Sequence, residues 1–192
     1  MKRKNLDSYA SFFILAVLLL SGFLMYNSLK PKFPILMADG SEEKFAVLSS
    51  AKSSQCCGPG FIDPKSNSDR LQGSCCSAMD FHRYEDQVEG LKKYSNIKKI
   101  PKDPYDIPVS LARELLGYQK SIKLTAKQQE IYDEAVKLSH EGGPCCCKCW
   151  RWYAFEGLAK YLITEHNFDA GQIAEIWDLE DGCGGKGHAE HA

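Results

Sequence analysis

Eight of this chain's nine cysteines lie in three short clusters: Cys56-Cys57, Cys75-Cys76 and Cys145-Cys146-Cys147-Lys148-Cys149. The ninth, Cys183, stands in a glycine-rich tail. Neighbouring cysteines rarely bond each other, because the ring that results is strained. Each adjacent pair must therefore direct its two sulfurs to different partners. Any fold that satisfies them has to bring distant segments of chain to one place. An odd total also leaves at least one sulfur outside any set of intramolecular disulfides.

Two chemistries fit such a pattern. Structural disulfides would staple a modest core in an oxidising compartment. Four of them converging on one triple-cysteine segment would be crowded. Soft-metal binding is the sharper reading, since thiolates select Cu(I), Zn(II), Hg(II) or iron–sulfur clusters. The third cluster is expected at a helix N-terminus, where unpaired N–H groups and the helix dipole favour thiolate. On a helix, Cys145 and Cys149 are four apart and Cys146 and Cys149 three apart, so both pairs share a face while Cys147 points elsewhere.

Crowded thiols that can bridge favour polynuclear Cu(I) over a single Zn(II), which wants four well-spaced ligands. Zn(II) held by Cys146 and Cys149 with Cys56/Cys57 or Cys75/Cys76 is the first alternative. An iron–sulfur cluster ranks third, because the spacing matches neither ferredoxin pattern. The expected ligand set is Cys56, Cys57, Cys75, Cys76, Cys145, Cys146, Cys147, Cys149 and Cys183. Met79 is expected in the core or a cap, His82 in solvent, and His140 at a helix end. His188 and His191 form a weak metal tract in the tail. Trp150, Trp152 and Tyr153 read as helix packing that also stands beside Cys149.

The rest of the chain reads as anchor, linker and helices. Lys2, Arg3 and Lys4 precede 22 residues without charge, Ser8 to Leu29, enough for a helix of roughly 33 Å that would cross a bilayer. Residues 1–29 are thus expected to be an uncleaved signal-anchor, with the basic end in the cytoplasm and the remainder outside it. Residues 30–54 read as a linker, and 55–192 as a cysteine-rich helical domain. Capping signals at Ser77, Thr125 and Asp169, and Pro108 in a first turn, open four of its helices. A fifth is expected from about Cys147 to His166. The fold class expected is all-α: a transmembrane helix followed by a small domain of about five helices. With a formal charge of −1 overall and −3 over residues 30–192, nucleic acid is not an expected partner.

Pro144-Cys145-Cys146-Cys147-Lys148-Cys149 fits the pattern Pro-Cys-x-Cys-x-Cys. It resembles the signature of the exported, membrane-anchored bacterial proteins named for a Pro-Cys-Tyr-Cys-Gly-Cys motif. Cys145, Cys147 and Cys149 match the motif cysteines, with Cys146 in place of Tyr and Lys148 in place of Gly. The resemblance implies export from a prokaryotic cell and metal or thiol chemistry, and names no reaction.

An enzyme is the less favoured class. A Cys146/Cys149 redox pair would be sound chemistry at a helix end, but it lacks the usual βαβ setting. No phosphate loop, nucleophile elbow or His-Glu-x-x-His motif occurs. Asp80, Glu85, Asp86 and Glu89 read as a solvated face. The function expected is a single-pass, extracytoplasmic, Cu(I)-binding protein that buffers metal or delivers it to or from a partner protein. The alternative is a disulfide-stapled interaction domain.

Overall fold

The computed structural model describes residues 38–51 and 58–185. They form six α-helices and one small sheet: α1 (Glu42–Ser50), β1 (Arg70–Gln72), α2 (Phe81–Leu91), β2 (Asp106–Pro108), α3 (Val109–Ser121), α4 (Ala126–Leu138), α5 (Trp150–Glu165) and α6 (Ala170–Leu179). Two short 3-10 turns, Pro59–Ile62 and Lys92–Tyr94, complete the order.

The all-α expectation is therefore corrected. β1 and β2 pair antiparallel, with Leu71 opposite Ile107 and both side chains in the core. Three residues per strand are too few to show alternation in the sequence. The pairing is held instead by Asp106, which accepts from Arg70 Nε at 2.5 Å and Gln72 Nε2 at 3.1 Å. No helix among the described residues is long and apolar enough to cross a membrane. Residues 1–29, expected as the anchor, lie outside the described residues, as do Cys56 and Cys57.

The main core forms where α5 lies along α3. Gly157 makes this approach possible: a Cβ there would stand 1.9 Å from the Leu115 carbonyl oxygen. Leu158, Leu162, Phe155, Leu115 and Ala112 fill the seam. Helix α4 covers α6, with Tyr132 edge-on to Trp177 at 5.3 Å between centroids. Trp177 donates to the Phe155 carbonyl at 3.2 Å, which meets the one polar need of its ring.

Local signals decide most helix starts. Thr125 with Gln128, and Asp169 with Gln172, form complete capping boxes at α4 and α6. Pro108 stands just before α3 as its N-cap residue. The expected start at Ser77 moves to Asp80, whose carboxylate accepts from Arg83 N at 3.0 Å.

Residues read as linker contain α1, capped by Ser41. Its Leu48 is buried with Tyr84 and Val88, and Phe45 stacks edge-on against Phe81. Its Lys44 reaches Asp103 at 2.9 Å and Asp106 at 3.0 Å, and also pairs with Asp39. Burial opposes the Lys44 charge, yet these three carboxylates hold its pKa above the ordinary lysine value.

Candidate metal centre

Seven cysteines from three segments of the described chain come together in one cluster. The first segment is the turn carrying Cys75 and Cys76, between β1 and α2. The second is residues 145–149, leading into α5. The third is the turn after α6 that holds Cys183.

Backbone pairing joins the first and third segments. Cys75 N donates to the Gly182 carbonyl at 2.9 Å, and Ser77 N to the Cys183 carbonyl at 2.8 Å. Ser77 Oγ adds a second bond to the same carbonyl at 3.0 Å. Gly184, at φ +79°, allows the closest approach, since a Cβ would lie 2.3 Å from the Ser77 oxygen. Helix α2 braces the Cys183 turn from beneath. Arg83 donates to the Gly184 carbonyl at 2.8 Å and pairs with Asp181, and Gln87 donates to the Asp181 carbonyl at 2.8 Å. Asp181 in turn accepts from Cys183 N at 2.9 Å.

Residues 145–149 are a turn, not the first turn of a helix as the spacing predicts. Helix α5 begins at Trp150, and Cys149 occupies its N-cap position. The Gly142-Gly143-Pro144 breaker delays the helix until after the last cysteine. Cys145 and Cys149 still meet, at 3.9 Å between sulfurs. Cys146 turns away from Cys149, toward Cys183 at 3.1 Å and Cys76 at 3.9 Å. Cys147, expected to point elsewhere, joins Cys145 and Cys149 in one group and Cys76 and Cys146 in another.

The sulfurs sort into four groups of three, each with all sulfurs within 4.8 Å of one another: Cys75/Cys76/Cys183, Cys76/Cys146/Cys147, Cys145/Cys147/Cys149 and Cys145/Cys146/Cys183. Five cysteines (76, 145, 146, 147 and 183) belong to two groups, and Cys75 and Cys149 to one. No carboxylate or histidine joins any group among the described residues. Among the described residues, no two sulfurs stand at disulfide-bonding distance. The closest contacts, 3.1 to 3.9 Å, are far beyond a bond of about 2.05 Å, and none of the seven is disulfide-bonded.

Burial divides the cluster. Cys75, Cys145, Cys149 and Cys183 are buried, Cys147 is half-buried, and Cys76 and Cys146 are exposed. Cys145 sits at the electrostatic centre. Cys149, Cys183 and Cys75 share their thiol protons with its sulfur, which holds its pKa below the usual thiol value. The same contacts with Cys145 push the Cys75, Cys149 and Cys183 thiols up. Although the Cys146 residue is exposed, partial desolvation by the neighbouring segments, with Cys145 and Cys76 beside it, pushes its thiol up to about 12.

Arg151 acts on the site by its charge and Glu180 feels the charge of Arg151, and neither has a sequence signature. Arg151 is 1% exposed. Its Nη2 donates to the Pro104 carbonyl at 2.6 Å, while Nε and Nη1 are buried with no hydrogen-bond partner. Its charge acts on Cys75, lowering the pKa that the neighbouring thiols raise. Glu180 is equally buried, with neither carboxyl oxygen hydrogen-bonded. Burial raises its pKa well above the ordinary value, against the pull of Arg151. A charged residue three positions before a cysteine, or two after one, looks like any surface residue in the sequence.

The other soft ligands stay apart. Met79 packs with Tyr84 and Tyr105, and His82 is exposed. His140 is exposed beside Asp178, its ring nitrogen 3.6 Å from the carboxylate. His188 and His191 lie outside the described residues. Trp150 belongs to the main core, whereas Trp152 packs against the sulfurs. No family model, curated protein or solved structure matches the chain.

Proposed function

We propose that the protein binds Cu(I) through these thiolates as a polynuclear cluster, and that it buffers the ion or delivers it outside the cytoplasm. The observation that carries this reading is the sharing of sulfurs between groups of three. Cu(I) readily accepts three thiolates, and a thiolate that belongs to two groups can bridge two ions. Zn(II) asks for four tetrahedral ligands, and no four sulfurs here lie mutually within 4.8 Å among the described residues. Iron–sulfur clusters hold their thiolates at separate corners of a bulky core, whereas these sulfurs are in contact. A thiol set kept on metal is also protected from oxidation in a compartment that favours disulfides.

The test is elemental analysis with thiol counting on the full-length chain, purified anaerobically and loaded with Cu(I). Several coppers, up to four if each group takes one, with the thiols protected until chelation, support the reading. One zinc per chain, or no metal with the thiols oxidised in pairs, overturns it.

A further inference from the structure

The cluster has an inside and an outside, and the two ends differ in what can reach them. Cys145 and Cys149 are 1% and 2% exposed, and the third member of their group, Cys147, is half-buried. The group Cys76/Cys146/Cys147 is the reverse: two of its three cysteines are exposed. The two groups share Cys147, so an ion held at one end can pass to the other without leaving sulfur. Lys148 follows Cys147 directly, is exposed, and lies over the Trp152 ring at 5.6 Å. A cation there favours the approach of an anionic ligand.

Resting on the Cu(I) reading above, we propose that Cys76, Cys146 and Cys147 form an exchange site. Through it the ion passes to and from a thiolate-bearing partner, while Cys145, Cys147 and Cys149 retain it. The step is ligand exchange without redox change. A thiolate of the partner bonds to Cu(I) as the bond to Cys76 or Cys146 breaks. The proton lost by the incoming thiol is taken up by the departing cysteine. Cu(I) stays Cu(I) throughout. Cys147 then draws the next ion outward by exchanging its bonds within the shared groups.

The experiment follows copper leaving the loaded full-length chain by stopped flow, with excess glutathione as the thiolate probe. Removal should be biphasic. The double variant Cys76→Ser/Cys146→Ser should slow the fast phase by about tenfold or more and leave the slowly released copper bound. Cys149→Ser should keep the fast phase and lose slowly released copper. Equal thermal melts of the metal-free proteins would show that each variant folds.

Single-phase release unchanged by the double variant overturns the exchange site while leaving Cu(I) binding intact. So does a Cys149→Ser variant that slows the fast phase as much. Failure of the wild-type chain to bind Cu(I) at all overturns both readings.

Discussion

The protein has two interiors built on opposite principles. Between α3 and α5, and between α4 and α6, aliphatic and aromatic side chains close on one another, and the polar atoms among them are few and satisfied. The second interior consists of Cys75, Cys145, Cys149 and Cys183, with Cys147 and Trp152 packed against it. Among the described residues, no aliphatic side chain belongs to that cluster. The first interior gains its stability from area removed from water and needs nothing further. The second brings weak thiol donors together around one favoured thiolate, with a buried guanidinium nearby that lacks hydrogen-bond partners on two of its nitrogens. Its parts are organised by backbone pairing and by α2, and its sulfurs stand in groups of three that could hold a metal ion.

That contrast can be broken in four ways. Trp177→Ala should cost about 3–5 kcal/mol in urea unfolding, by the same amount with metal loaded or chelated, because it empties the first interior. A cost that depends strongly on metal would join the two interiors into one. Removing copper should lower the stability of the wild type by about 2.7 kcal/mol when the free ion stands a hundredfold above its dissociation constant. Cys145→Ser, which takes away a sulfur shared by two groups, should erase most of that difference. An undiminished shift in the variant would remove Cys145 from the site.

Arg151→Met separates charge from packing. It should weaken Cu(I) binding about tenfold in competition with a chromophoric chelator, roughly 1.4 kcal/mol, by losing a buried cation beside an anionic cluster. The metal-free variant should unfold no earlier than the wild type, since replacing a poorly satisfied buried charge with an apolar chain is often neutral or stabilising. If stability and affinity fall together, Arg151 is a packing residue.

Glu180→Gln should give the smallest effect, and it is one of slope. The folded pKa of Glu180 is raised, so its contribution is fully present below the ordinary glutamate range. That contribution is lost as pH rises toward and through the folded value. The variant should flatten this decline in chemical unfolding measured across pH, and an unchanged slope would place the ionisation elsewhere.

The helices that begin at Thr125 and Asp169 were legible because cap and reciprocal partner lie within four residues of each other. Ser77 carries the same pattern and misleads. Its hydroxyl and N–H go to Cys183, 106 residues away, and Asp80 caps the helix instead. Helix α1 was hidden for a similar reason, since the ion pairs that bury Lys44 come from Asp103 and Asp106. In the site, sulfur content was readable and grouping was not. Helical spacing paired Cys146 with Cys149, but the Gly-Gly-Pro breaker keeps the segment in a turn, and Cys146 faces Cys183 across the fold. The role of Arg151 depends on what surrounds it after folding, which no local pattern records.

Cys75 and Cys183 stand 108 residues apart in the chain, yet their sulfurs are 3.8 Å from one another. An ion held between them ties a loop that takes in five of the six helices. A cross-link of that span acts chiefly on the denatured chain, which loses much of the volume it could otherwise explore. The sulfur site is then also a clasp. Proteases that wait for the chain to open would find it opening less often with such an ion in place, so the lifetime of the protein would then follow the supply of that ion.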